Sequence, residues 1–254
     1  MLSAGAIGEF FEVGFLLLPG LYDPAELACA REAFARLEAR ARTLPGPAVV
    51  DGALFVVHRP APEDFKIERI VWCGAVEQEL AALGRVSKLV TPVAELLGGP
   101  ELDHIINQAH LKRPGDGVEF HFHQDSYHRR YGTQLFTDVN GRGSFVQALT
   151  ALDDMGPDNG GLWLVPRSNQ LGHIPTHDGR LPDGVFKREE ARPVELAAGD
   201  TLLLGPFTVH GSGPNRGATQ RRLFINGFCC PGANRREYPG AGTGFRLRAW
   251  GNAA

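Results

Sequence analysis

The sequence predicts a mainly β protein, an antiparallel sandwich or closed roll flanked by helices on its N-terminal side. Three observations carry this. From residue 102 onward the chain runs as short apolar stretches punctuated by Gly, Pro, Asn and Asp, without helices between them. Its 32 Gly and 18 Pro are spread along the chain, as many turns between short strands require. Helical periodicity, in contrast, is confined to residues before 100. At 254 residues, one domain is expected, with helical support over about 20–100 and the strand-rich core over about 102–230.

Taken in order, residues 10–18 predict a short strand, in which Gly14 turns Phe10-Phe11-Glu12-Val13 into Phe15-Leu16-Leu17-Leu18. A helix follows: Asp23 caps, Pro24 suits the first helical position, and Glu26 sits three residues after the cap. Leu27, Ala30, Phe34, Leu37 and Ala41 form its buried stripe, and Arg31, Arg36 and Arg40 a solvated outer face. After the break at Leu44-Pro45-Gly46-Pro47, residues 53–57 read as a strand. Residues 75–83 and 87–97 read as helices separated at Gly84 and closed by Gly98-Gly99. Further strands are predicted at 103–111, 118–125, 144–152, 161–166, 194–196, 201–205 and 221–229, with 175–192 a long polar surface loop, either a lid or a plain excursion.

Hydrophobic residues make up 43 % and charged residues 22 %, ordinary for a water-soluble fold, and the net charge of −3 gives no reason to propose nucleic acid or a membrane surface as partner. The apolar run near residue 16 is too short for a membrane span and lacks the flanks of a secretory signal. Cys29, Cys73, Cys229 and Cys230 contain no C-x-x-C pair, so reduced thiols in a cytoplasmic setting are expected.

The chemistry centres on Glu119-Phe120-His121-Phe122-His123-Gln124-Asp125. On a strand, His123 and Asp125 would point to one face and converge on one ion. A third ligand is offered by His210, 85 residues after Asp125 in Val209-His210-Gly211-Ser212. Two His and one Asp form the facial triad of non-haem Fe(II) oxygenases, leaving positions for a co-substrate and dioxygen. Zinc hydrolases use similar ligands, so the donor set alone leaves both open.

The order of motifs resembles the phytanoyl-CoA dioxygenase family of Fe(II)/2-oxoglutarate oxygenases. Lys112-Arg113-Pro114-Gly115 precedes His123-Gln124-Asp125; Asp158-Asn159-Gly160-Gly161-Leu162-Trp163, Val165-Pro166-Arg167-Ser168, Gly199-Asp200-Thr201-Leu202, His210-Gly211-Ser212 and Arg221 follow. The resemblance implies a double-stranded β-helix, the cupin-like jelly roll whose wide mouth holds the metal. It also implies Fe(II) on His123, Asp125 and His210, with 2-oxoglutarate and dioxygen as co-substrates and hydroxylation of a small organic molecule as the outcome. Desaturation, cyclisation and epimerisation on the same cofactors are alternatives, as is a metal-binding jelly roll without oxygenase chemistry. One departure stands out: the family commonly has Pro-Gly-Ser-His where this chain has Pro166-Arg167-Ser168-Asn169.

By the same resemblance Arg221, eleven residues past His210, grips the far carboxylate of 2-oxoglutarate, with Ser212 assisting. A guanidinium suits this role, since it matches a carboxylate bidentately and stays charged. Strand alternation places Arg221, Leu223 and Ile225 inward and Arg222 outward and solvated. His110 and Gln108 are expected toward the co-substrate, Gln147 as an inward polar contact, Lys112 as either a contact or exposed, and Trp163 as core or pocket wall. Tyr127-His128-Arg129-Arg130-Tyr131 offers either a mouth for an anionic substrate, through Tyr127, Arg129 and Arg130, or a solvated loop.

Overall fold

The structure, a computed structural model, describes residues 1–59 and 65–250. Helix α1 (Ala4–Val13) leads into strand β1 (Phe15–Leu18) and helix α2 (Pro24–Arg42). Strands β2 (Ala48–Val50), β3 (Ala53–His58) and β4 (Lys66–Val71) precede helices α3 (Gln78–Leu83) and α4 (Ser87–Leu97). Next come β5 (Glu101–Lys112), β6 (Phe120–His123), the short helix α5 (Asp125–Arg129), β7 (Phe145–Ala151) and β8 (Leu162–Leu164). The chain continues through β9 (Arg192–Pro193), β10 (Thr201–Leu204), β11 (His210–Ser212), β12 (Arg221–Cys229) and β13 (Phe245–Arg248).

Two antiparallel sheets face each other. The larger runs β1-β10-β7-β12-β5-β4-β3-β2, with β13 pairing the start of β5; the smaller runs β6-β11-β8-β9. This is the jelly-roll arrangement, with β1, β2–β4 and β13 extending the larger sheet beyond residues 102–230. Central strand β12 shows how alternation builds two layers. Leu223 and Ile225 enter the core between the sheets, whereas Phe224 enters a second core under α2 with Phe34, Leu37, Phe55 and Ile70.

The α2 start is a complete capping box: Asp23 Oδ1 accepts from Ala25 N and Glu26 N, both at 2.9 Å, and Glu26 Oε2 accepts from Asp23 N at 2.8 Å. Its expected stripe is buried throughout. Its arginines are less free than expected. Arg31 donates to Leu152 O at 2.7 Å, and Arg36 and Arg40 pair with Glu77 and Asp51.

Several elements differ from the sequence reading. Phe10–Val13 is not strand but the end of α1, because Ser3 caps that helix from the N-terminal side and Gly14, at φ 93°, closes it from the other. Strand β6 stops at His123, so Asp125 opens α5 and is not on a strand. The strand expected at 194–196 falls at β9; Leu196 forms only an isolated bridge to Met155. Arg222 is not solvated but holds Asp153 bidentately at 2.6 and 2.9 Å. The loop 175–192 includes a 3-10 turn at Arg188–Glu190 and lies on the outer face of the smaller sheet, where Phe186 packs on Phe122 with ring centroids 4.9 Å apart. Among the described residues no helix is long and apolar enough to cross a membrane.

Phe34 is fully buried and meets Phe224 edge-on at 6.3 Å, joining α2 to the back of β12. Phe34→Ala is expected to cost about 3–5 kcal/mol of unfolding free energy, measured by urea denaturation.

Candidate metal and co-substrate site

Strands β6 and β11 pair so that His123 and His210 stand directly opposite each other, with ring centroids 4.3 Å apart. Each ring is fixed by its own backbone. His123 Nδ1 lies 2.7 Å from His121 O and His210 Nδ1 2.9 Å from Thr208 O. A carbonyl only accepts, so both Nδ1 atoms carry a proton, and Nε2 is the atom that each neutral ring would offer to a metal. Those atoms face one carboxylate: His123 Nε2 is 4.0 Å from Asp125 Oδ1, and His210 Nε2 is 4.0 Å from Asp125 Oδ2. The three donor atoms lie within 4.8 Å of one another.

Asp125 reaches this position from the first turn of α5. Between the two neighbouring ligands, Gln124 is buried and acts as a tie: its Nε2 donates to Gly172 O and Phe207 O, and its Oε1 accepts from Ile174 N. Ser126 N donates to Pro206 O at 2.9 Å, anchoring the helix start beside the approach to β11. Burial alone would raise the Asp125 carboxyl, but positive charge around it, that of His210 and His123 when protonated and then that of Arg129 and of protonated His128, holds it below its ordinary value. His123 is pushed down to about 3, first by burial and then by His210, so its imidazole is neutral near pH 7. Asp125 Oδ2 is buried without a hydrogen-bond partner, a costly state for a carboxylate unless a cation satisfies it.

The larger sheet supplies a second unsatisfied group. Arg221 opens β12, is 1 % exposed and points inward as its alternation predicts. Its Nη2 donates to Gly160 O at 2.6 Å, but Nε and Nη1 are buried without acceptors. Burial lowers its pKa to about 10, while Asp116 and Asp153 hold it up, so it stays cationic. Nearby, fully buried Lys112 donates to Ser212 Oγ at 2.7 Å and to Gly213 O at 2.6 Å, and burial followed by the charge of Arg221 brings it down to about 6. With Lys112 donating to it, the Ser212 hydroxyl keeps its own proton for another acceptor.

One cavity of about 250 Å³ joins these groups. His123, Asp125, His210, Arg221 and Ser212 line it together with Gln108, His110 and Gln147, among apolar walls such as Leu149, Leu223 and Ile225. His110 Nε2 is 3.1 Å from Gln108 Oε1, and burial followed by the charges of Arg69 and Arg221 holds the imidazole well below its ordinary value.

Other expected contacts lie elsewhere. Trp163 is not the pocket wall that was one of its two expected roles: it packs on the small apolar cluster of Val165, Ala191 and Val209 on the outer face of the smaller sheet, where Arg188 lies 5.3 Å over its ring. Tyr127 and Arg130 also fall outside the cavity, because α5 is a helix and turns them away from Asp125. Tyr127 packs on Gly179 and bonds His177 O at 3.3 Å, and Arg130 is exposed. Lys112 stands behind Ser212, not in the lining.

The sequence reading missed Arg69, Arg236, Tyr238 and Pro239, which also line the cavity. Arg69 sits on β4, a strand lacking a clear alternating pattern. Residues 236–239 follow the last expected strand, and the Phe136–Asn234 bridge before them and the pairing of β13 with β5 after them return them to the site. The visible signal was an aromatic and two arginines in an otherwise Gly-rich stretch, Arg235-Arg236-Glu237-Tyr238-Pro239-Gly240.

A jelly roll with two histidines and a carboxylate within 4.8 Å of one another, and a buried guanidinium lining the same cavity, is the framework of an Fe(II)/2-oxoglutarate-dependent enzyme. The family description "Phytanoyl-CoA dioxygenase (PhyH)" matches residues 10–223, and the chain belongs to this family, whose members work with iron and 2-oxoglutarate. No curated protein sequence matches significantly. Similar solved structures include AviO1 from Streptomyces viridochromogenes Tue57, with 24 % identity, TM-score 0.66, and 91 % of this chain covering 96 % of that one. The epimerase SnoN, determined with Fe3+, alpha ketoglutarate and nogalamycin RO, has 19 % identity and TM-score 0.66 over 89 % of this chain and 82 % of its own. The alpha ketoglutarate dependent carbocyclase SnoK from nogalamycin biosynthesis has 18 % identity and TM-score 0.64 over 94 % and 87 %.

The family's usual Gly and His are replaced here at Arg167 and Asn169. Arg167 adopts φ 65°, the left-handed conformation that glycine favours. Its N donates to Val13 O at 2.9 Å, and Asn169 Nδ2 donates to Phe11 O at 2.8 Å, so the altered turn docks on α1, away from the cavity.

Gln124→Leu removes the tie between the two neighbouring ligands and leaves three half-buried backbone groups without their partner. It is expected to cost about 2–3 kcal/mol of stability, measured by urea unfolding.

Proposed function

We propose that this protein hydroxylates a C–H bond of a small organic molecule, using Fe(II), 2-oxoglutarate and dioxygen. The observation that carries the reading is the juxtaposition, in one cavity, of the His123/Asp125/His210 set with an Arg221 guanidinium that has two buried, unclaimed donors. On this reading the triad holds iron by one face. Arg221 takes the distal carboxylate of 2-oxoglutarate bidentately, with the Ser212 hydroxyl donating beside it and Lys112 fixing that hydroxyl. When bound, iron and 2-oxoglutarate reduce dioxygen with release of succinate and carbon dioxide, which supplies an oxidant for unactivated C–H bonds.

The remaining contributions are positional. Leu149, Leu223 and Ile225 keep water from the reacting centre, and Gln108, His110 and Gln147 offer polar contacts to co-substrate or substrate. The carboxylate at Asp125 argues against halogenation, because related halogenases leave that coordination position to chloride. A second reading keeps the cofactors and changes the outcome to epimerisation, ring closure or desaturation; it is favoured by the fold-level similarity to SnoN and SnoK. Product mass separates these outcomes. Hydroxylation adds one oxygen, desaturation or oxidative cyclisation removes two hydrogens, and epimerisation leaves the mass unchanged. A metal-binding jelly roll without oxygenase chemistry gives no use for the two unclaimed Arg221 donors.

The test is an anaerobic titration of the Fe(II) protein with 2-oxoglutarate, followed by the visible metal-to-ligand absorption band. Removing one partner of a buried, hydrogen-bonded charge pair costs on the order of 2–5 kcal/mol, so Arg221→Leu is expected to weaken 2-oxoglutarate roughly tens- to thousands-fold. Arg222→Leu, whose wild-type side chain holds Asp153 outside the cavity, should titrate close to wild type. A wild-type protein that never develops the band would overturn the oxygenase reading.

A further inference from the structure

The cavity contains more positive charge than iron and 2-oxoglutarate account for. Asp125 and Arg129 stand four apart on α5, hence on one face of that helix, and Arg129 lines the cavity beside the triad. Arg129 is 6 % exposed, its Nη1 donates to Tyr238 Oη at 2.7 Å, and its Nε is buried with no partner. Its guanidinium lies between two rings, 5.5 Å from Phe145 and 5.6 Å from Tyr238. Arg236 lies 5.1 Å from the same Tyr238 ring, and its Nη1 is anchored on His128 O at 2.9 Å. Arg69 reaches the cavity from β4, paired at one end with Glu68.

The acidic groups facing these cations are few. Asp125 belongs to the triad, Glu68 is on Arg69, and Glu237 lines the cavity from an exposed position without an ion pair among the described residues. Burial and then the charges of Arg129, Arg130 and Arg69 hold the Arg236 guanidinium below its ordinary value, against the opposing effect of Tyr238. Three guanidiniums on one cavity, of which Arg129 and Arg236 lie against Tyr238 and Arg129 also keeps an idle buried donor, are a built receptor for an anion.

We propose that Arg69, Arg129 and Arg236 bind an anionic group, a carboxylate or a phosphate, carried by the substrate to be oxidised, and so fix which carbon faces the metal. This rests on the oxygenase reading of the cavity. It replaces the exposed Arg130 with two residues from β4 and the 236–239 segment. Tyr238 is a positioning residue, holding Arg129 through its hydroxyl and Arg236 against its ring.

The test is calorimetric titration of the Fe(II) protein, held anaerobic and saturated with 2-oxoglutarate so that Arg221 is occupied. The probes are butyrate, butyramide and inorganic phosphate. Wild type is expected to bind butyrate or phosphate and not butyramide. Arg236→Gln and Arg69→Gln are each expected to weaken the bound anion about tenfold or more. Arg129→Gln should abolish binding while still developing the 2-oxoglutarate band, which shows an intact fold. Arg142→Gln, an equal change of charge at a residue lying over Phe11, should leave binding unchanged. Phosphate alone binding assigns a phosphate group, and butyrate alone a carboxylate. No anion binding in a wild type that develops the band, equal binding of butyramide, or undiminished binding in the Arg69 and Arg236 variants would each overturn the proposal. A missing 2-oxoglutarate band in wild type would instead implicate the oxygenase reading.

Discussion

The antiparallel pairing of β6 with β11 is the constraint on which the rest depends. It sets His123 against His210 across one register position, and two backbone carbonyls, His121 O and Thr208 O, fix both rings in the same tautomer. Neither histidine needs a side-chain partner to be oriented, so the geometry is written into the sheet. The Gln124 tie and the Ser126–Pro206 bond then swing the first turn of α5 under the pair and bring Asp125 to both Nε2 atoms. The result is a buried carboxylate with one oxygen left unpaired, a state that a cation relieves.

The larger sheet meets this centre with opposite charge. Arg221 and Lys112 pair across β12 and β5, and both are almost wholly removed from water. A buried guanidinium without a carboxylate is unfavourable, and a dianion such as 2-oxoglutarate would satisfy Arg221 while its other end reaches the metal. The unpaired carboxylate oxygen and the unpaired guanidinium donors on one cavity are thus complementary halves of one requirement. The packing under α2, with Phe34 against Phe224, holds the strand that presents Arg221 from behind.

Much of this was legible in the sequence because it depends on local rules. The capping box at Asp23 and Glu26, the α2 stripe and the β12 alternation all follow from spacing alone. Spacing also gave the His123-x-Asp125 pair, although for an incomplete reason, while His210, 85 residues further on, joined it as a candidate supported by the order of the motifs. His123 and Asp125 converge through a strand end and a helix start, not through the shared face of one strand, and a two-residue spacing does not distinguish these. Phe10–Val13 reads as strand by its apolar content, yet Ser3 and Gly14 cap it as a helix. Trp163 and Tyr127 were misplaced because sequence alternation gives faces only after an element's ends are known. Arg69, Arg236 and Tyr238 reach the cavity through the β4 and β13 pairings with β5, which are long-range and leave no periodic trace.

The central claim, that His123, Asp125 and His210 are the iron ligands, is tested most directly by equilibrium dialysis of wild type and Asp125→Ala against Fe(II) under anaerobic conditions. The account predicts one iron per wild-type chain and loss of that binding in the variant, with the fold retained. Stoichiometric iron in Asp125→Ala would contradict it.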